Sequence, residues 1–215
     1  MRAFTTTGSL RYSVKEDILF ATGNAGKVRE AGQWFESRGM RVIQALDGSG
    51  QPLELIEPQS ASLENVAHHK IDQAVAMLDG ARWVLVEDAG LFIPSLGDFP
   101  GVFSAHALDT IGCDGILRLL SGGRSRRARF EAVACLWMDG RTLIGHGVCE
   151  GRIASAPSGL DGFGFDPIFV PVDQPEGSGM RTFGSMTPAE KSDRSHRSAA
   201  YADLVEQLAR TERPA

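Results

Sequence analysis

Cysteine is scarce: the 215 residues hold three, Cys113, Cys135 and Cys149, an odd number with no C-x-x-C pair. That argues against a disulfide framework and against a zinc site, and leaves three small residues suited to burial. Long apolar runs are missing as well. The longest, residues 132–138, is far too short to cross a bilayer, and the polar residues 1–16 lack the apolar core of a signal peptide, so a cytoplasmic protein is expected. Nor is there a surplus of basic charge. The 22 Lys and Arg against 27 Asp and Glu leave a net −5, which disfavours general nucleic-acid binding, because that relies on a basic surface displacing counterions. An anionic substrate would then need a few local cations or a metal. Hydrophobic content of 42% and charged content of 23% are ordinary for a globular protein. The length suits one large α/β domain or two lobes about one cleft, and we assign residues 17–215 to a single domain preceded by an extension, residues 1–16.

Against these absences stands one stretch, Trp83-Val84-Leu85-Val86-Glu87-Asp88-Ala89-Gly90-Leu91. Four apolar residues read as a buried strand, with two acids where it stops and a glycine to turn the chain away. Strand ends of open α/β sheets are where ligands bind. Adjacent carboxylates repel, and a divalent cation such as Mg²⁺ would relieve them; a solvated turn is the plain alternative.

Earlier in the chain, the short strand Ile18-Leu19-Phe20-Ala21 runs into Thr22-Gly23-Asn24-Ala25-Gly26-Lys27, followed by Val28, Ala31, Trp34 and Phe35 at helical spacing. A strand, a Gly/Asn loop and a helix N-terminus make an anion site, to which Lys27 adds charge. The loop is no Walker A motif, since Ala21 stands where its first glycine belongs and Val28 follows the lysine, and it does not fit G-x-G-x-x-G. A second strand is expected near residues 41–45, then a loop carrying Glu54 and Glu57. An amphipathic helix follows through Leu63, Val66, Ala67, Ile71, Ala74, Val75 and Leu78, capped by Ser60 or Ser62, with His68 and His69 on its flank. Residues 128–138 alternate as a half-buried strand, and Asp139-Gly140 signals a two-residue hairpin into residues 142–150, hence a mixed sheet with a second lobe.

The stretch Leu160-Asp161-Gly162-Phe163-Gly164-Phe165-Asp166-Pro167 presents aromatic faces that suit stacking on a flat ring, unless the two phenylalanines simply close the core. Thr187-Pro188-Ala189-Glu190 spells a capping box. Lys191 and Ser195-His196-Arg197 follow, a second anion or polar site beside a closing helix with Ala200, Leu204, Val205 and Leu208.

Two anion sites, a carboxylate cluster and an aromatic loop describe a nucleoside triphosphate bound with a divalent metal. Taken in order, Thr22-Gly23-Asn24-x-x-Lys27, Glu87-Asp88-x-Gly90-Leu91, Pro100-Gly101, Phe163-Gly164-Phe165-Asp166-Pro167 and Lys191-x-x-x-Ser195-His196-Arg197 resemble the inosine triphosphate pyrophosphatase family over about residues 17–208. The resemblance implies an Mg²⁺-dependent enzyme converting ITP, dITP or XTP to monophosphate and pyrophosphate. It further implies an elongated mixed sheet with flanking helices, in two lobes around a central cleft, and a homodimer. Carried over by position, Asp88 is the general base and a metal ligand, Glu57 a metal-binding glutamate, and Glu87 a supporting acid of the same metal set. Thr22, Gly23, Asn24, Ala25, Gly26 and Lys27 form the phosphate loop, Ala89 borders the substrate, and Lys191 is a second phosphate lysine. Phe163 stacks on the purine, while Gly164, Phe165, Asp166, His196 and Arg197 surround its edge.

Donors such as Arg197 and His196 match the 6-carbonyl of hypoxanthine or xanthine and disfavour adenine's 6-amino group, but do not by themselves exclude guanine. Four features depart from the family pattern: Ala89 in place of Ser or Thr, His106 in place of Arg, Phe165 in place of Tyr or Trp, and the extra residues 1–16. The competing readings are a related pyrophosphatase acting on other modified nucleotides, and a non-catalytic nucleotide sensor.

Overall fold

The computed structural model describes residues 17–159, 161–174 and 180–211, so the extension 1–16 and Leu160 lie outside the described residues. At its centre β1 (Ile18–Phe20) lies between β2 (Val42–Gln44) and β3 (Trp83–Ile93), parallel to both. The crossovers are α1 (Ala25–Glu36) and α2 (Leu63–Met77), each capped by a side chain the sequence supplies: Asn24 accepts from Lys27 N, and Ser62 from Asn65 N. Beyond β3 the sheet turns antiparallel through β5 (Arg127–Met138), β6 (Arg141–Ile153) and β7 (Phe169–Pro171), while β4 (Phe99–Gly101) pairs with the outer part of β3. The order is β2-β1-β3-β5-β6-β7 with β4 off the path, which is the mixed α/β sheet with flanking helices that the sequence led us to expect. Asp139 and Gly140 both take positive φ, 46° and 86°, and close the β5–β6 hairpin as a tight two-residue turn.

The strand bearing the acid pair differs from expectation. It does not stop at Glu87-Asp88 but continues to Ile93, because β5 pairs with it without interruption from Trp83↔Met138 to Phe92↔Arg129. Gly90 does not turn the chain away. It admits β4, since a Cβ there would stand 2.3 Å from the Gly101 carbonyl oxygen. The period of two then sends the neighbouring acids to opposite faces of the sheet. Glu87 shares its face with Leu85 and Ala89, toward α1 and α6 (His196–Thr211); Asp88 shares the other with Val84 and Val86, toward α2.

A third apolar cluster, Leu91, Ile93, Ile116, Phe130, Phe165 and Phe169 among its members, fills the far lobe beneath α3 (Ser104–Thr110) and α4 (Gly112–Leu119). The short α5 (Pro188–Ser192) starts at the expected capping box, with Thr187 and Glu190 exchanging side-chain and backbone hydrogen bonds. α6 packs unusually close to β6, where a Cβ on Gly147 would lie 2.0 Å from the His196 carbonyl oxygen and 2.4 Å from Ala200 N. No helix among the described residues is long and apolar enough to cross a membrane.

Candidate active site

A cleft of about 340 Å³ opens between the lobes. Its first wall is the loop after β1. The Asn24 side chain caps α1, its backbone N–H is donated to Thr22 Oγ1 at 3.2 Å, and Gln44 on β2 donates to the Thr22 carbonyl at 2.7 Å. Thr22, Gly23, Asn24 and Lys27 therefore face the cleft from a helix N-terminus. Lys27 Nζ is fixed 3.1 Å from both the Glu87 carbonyl and its Oε2.

The second wall is a charge cluster on the α2 face of β3. Lys70 Nζ donates to Glu57 Oε1 at 2.8 Å and to Asp88 Oδ1 at 3.1 Å, so one ammonium bridges two carboxylates. Burial works to discharge Lys70, but Asp88 and Glu57 outweigh it and hold its pKa above the ordinary lysine value. Asp88 is raised above the usual carboxylate range, chiefly by burial, against the pull of Lys70 and Lys27. A carboxyl shifted upward in a cleft is suited to accept a proton.

The third wall reads aromatic and basic. Phe163 lies over the first turn of α1, where a Cβ on Gly26 would meet its ring at 2.6 Å, and Lys191 and Arg197 sit 4.7 and 5.2 Å from the ring centroid. Phe165 belongs to the far-lobe core and also lines the cleft. The buried Lys191 joins Asp166 Oδ2 and Glu30 Oε1, both at 2.6 Å. Arg197 donates Nε to Glu87 Oε2 at 3.1 Å and Nη1 to Glu30 Oε2 at 2.7 Å. His196 stacks on Phe130, 4.6 Å between centroids, with neither ring nitrogen paired. Burial, then Arg197, Lys191 and Lys27, push its pKa well below the usual value, so it is a neutral imidazole with one donor and one acceptor.

Of the residues expected from the sequence, Thr22, Gly23, Asn24, Lys27, Glu57, Asp88, Ala89, Phe163, Gly164, Phe165, Asp166, His196 and Arg197 all line this one cleft. Ala25 and Gly26 stand behind the loop in the first turn of α1. Lys191 stands at the aromatic end, against Phe163 and Asp166. His106 is exposed on α3 and not among the residues facing the cleft.

Glu87 requires a correction. Its carboxylate is buried on the opposite face, gripped by Lys27 and Arg197, which together outweigh burial and hold its pKa below the ordinary value. It stands apart from Glu57 and Asp88, across β3 from them. It is instead the counter-charge that fixes two cations of the cleft. Among the described residues no group of three or more His, Cys, Asp or Glu is placed to hold a metal ion. The pair Glu57 and Asp88 nevertheless fits Mg²⁺, which is commonly bound by one or two carboxylates and completes its shell with water and substrate phosphate oxygens.

Two participants escaped the sequence reading. Lys70 had a signal: it interrupts the apolar stripe of Val66, Ala67, Ile71 and Ala74, and a lysine at such a position is buried only if paired. Glu30, which joins Lys191 to Arg197, had none beyond lying three residues after Lys27.

The Ham1 family model matches residues 18–207. A dITP/XTP pyrophosphatase of Thermococcus kodakarensis is 41% identical over 191 residues, covering 89% of this chain and 96% of its own. Another, of Methanopyrus kandleri, is 42% identical over 190 residues, covering 88% and 94%. Among solved structures, the Ham1 protein of Staphylococcus aureus aligns with a TM-score of 0.72 at 26% identity, over 92% of this chain and 100% of its own. A HAM1 protein from Coxiella burnetii gives 0.72 at 30% identity, over 90% and 98%. With four of the five motifs contributing residues to one cleft and the family model matching residues 18–207, the chain belongs to the Ham1 family.

Proposed function

We propose that this chain is an Mg²⁺-dependent pyrophosphohydrolase that converts dITP, XTP and ITP to the monophosphate and pyrophosphate, removing aberrant purines from the nucleotide pool. The observation that carries the reading is the Glu57–Lys70–Asp88 cluster facing the Lys27 helix terminus across a cleft whose other end holds Phe163, His196 and Arg197.

The triphosphate lies along the Thr22–Lys27 loop, where helix N–H groups and Lys27 offset its charge. Asp88 orients a water molecule and takes its proton as the oxygen attacks the α-phosphorus; the bond to the bridging oxygen breaks and pyrophosphate departs. Lys70 keeps the two carboxylates together and offers a positive charge to the phosphates. When bound, Mg²⁺ would be held by Glu57 and Asp88 and would neutralise charge on the phosphate oxygens.

Phe163 stacks on the base. Arg197, with Nε and Nη1 committed to Glu87 and Glu30, keeps Nη2 as a donor, and neutral His196 offers a donor and an acceptor. Arg197 Nη2 can only donate, so a 6-carbonyl satisfies it, whereas adenine's amino group would leave that buried donor facing a donor, at a cost of about 1–3 kcal/mol. Lys191 belongs to this base-reading end by virtue of its contact with Phe163.

Three free thiols accord with a cytoplasmic setting. Exposed Phe99, Phe103 and Ile111 support a homodimer, which light scattering would test against the mass of a single chain. The test of the mechanism is Asp88→Asn: turnover falls by at least about a thousandfold while nucleotide affinity stays within a few-fold. A near wild-type rate would remove Asp88 from the chemistry, and a wild-type chain that binds nucleotides without turnover would make it a sensor.

A further inference from the structure

Glu57 reaches the cleft from a segment with little to hold it. Beyond the isolated bridge between Leu46 and Pro52, residues 54–61 enter no backbone-to-backbone hydrogen bond among the described residues. Leu53 and Leu55 pack toward α2, but Ile56, next to Glu57, is 74% exposed and contributes no anchoring burial. Main-chain groups left this free do not by themselves fix a carboxylate to within the few tenths of an ångström that a shared ion pair requires.

One side chain makes up the deficit. The Ile56 N–H donates to Gln73 Oε1 at 2.9 Å, and Gln73 Nε2 donates to the Ile56 carbonyl at 2.8 Å, so the amide grips both polar groups of one residue as a neighbouring strand would. The same Nε2 lies 3.1 Å from the His69 carbonyl of its own helix, which orients the amide. Gln73 stands three residues after Lys70, on the same side of α2. The helix that supplies Glu57 with its cation thus also supplies the clamp on the residue before it.

We propose that Gln73 is a positioning residue, latching the Glu57 segment to α2 so that Glu57 and Asp88 meet at one point of the cleft. It touches no substrate and acts through Glu57. The inference rests on the reading of Glu57 as a ligand of the substrate's cation.

Gln73→Ala in the full chain tests it. Alanine is the stronger helix former, so α2 is not weakened and the unfolding temperature stays within a few degrees. Amide exchange at Ile56, followed by NMR, is expected to quicken by about fivefold as its acceptor is lost, with the amides of α2 unchanged. The Mg²⁺ concentration for half-maximal rate is expected to rise by about tenfold while the rate at saturating Mg²⁺ stays within about twofold, since excess ion offsets a poorly placed ligand. Unchanged exchange at Ile56 would overturn the latch. So would a lower rate that Mg²⁺ fails to restore with half-saturation unmoved, the mark of general damage. If the wild-type chain turned over no nucleotide, the activity reading would fall, and exchange at Ile56 would still uphold or reject the latch.

Discussion

Lys70 decides what the two carboxylates of the cleft can do. Asp88 is buried and its pKa is already raised by that burial; Lys70 is the nearest charge opposing the rise. Lys70→Met keeps an unbranched side chain of similar reach and removes the ammonium. The expected outcome is a fall in kcat/KM of at least about a hundredfold, with a few degrees lost in thermal unfolding, because breaking a mostly buried ion pair leaves an uncompensated charge. Steady-state kinetics beside a melting curve would check it, and an undiminished rate would show that the bridge is only structural. The residue also marks where sequence reading stops. Motif spelling brought out Asp88, Lys27 and Arg197, but the partner of a charge depends on which elements pack together. Glu57, Lys70 and Asp88 come from a loop, a helix and a strand, and nothing in their spacing says that they share one ammonium.

Helices and turns were legible because their signals are local: the helix opening after Thr22-Gly23-Asn24, the cap at Ser62, one of two serines offered, the capping box at Thr187 and the Asp139-Gly140 turn all stand where the sequence puts them. β3 was not, since its length is set by β5, a partner some forty residues away, and the acids that looked like a strand end are mid-strand residues on opposite faces.

Two predictions belong to elements. Gly147 lets α6 approach β6, and a methyl group there would meet backbone atoms that cannot give way. Gly147→Ala is expected to cost about 1–3 kcal/mol in denaturant unfolding and, by displacing the start of α6, to narrow the ratio of ITP to ATP turnover. An unchanged ratio would detach base reading from that helix end.

The second concerns α5, whose first turn Glu190 secures through Thr187 and Arg181. These contacts, Arg181 foremost, pull its pKa from 4.5 to about 2. A depressed carboxyl contributes stability above its unfolded pKa and loses it as pH falls toward its folded value. The stability gap between the wild-type chain and Glu190→Gln should therefore be full at neutral pH, shrink below about 4.5 and vanish near 2. A gap constant across that window, measured by thermal melts, would contradict this.

On the scale of the whole molecule, the sheet is a mixed one because a parallel β-α-β start is extended by an antiparallel hairpin, and the cleft forms where the two regimes meet across β3. Both ends of the cleft then lie within reach of one extended ligand. In the proposed function Lys27 and the Glu57–Lys70–Asp88 cluster would take the phosphates, and Phe163, His196 and Arg197 the base. Ion pairs such as Lys27–Glu87 and Arg197–Glu87 tie the two ends through a single buried carboxylate. The most direct measurement is pyrophosphate release with Mg²⁺ across ITP, dITP, XTP, GTP, ATP and dUTP, with Asp88→Asn alongside. Rapid release from ITP, dITP and XTP, at least about tenfold slower release from ATP, and none from the Asp88→Asn chain is the expected result. Equal release from ATP and ITP, or release undiminished in Asp88→Asn, would contradict it.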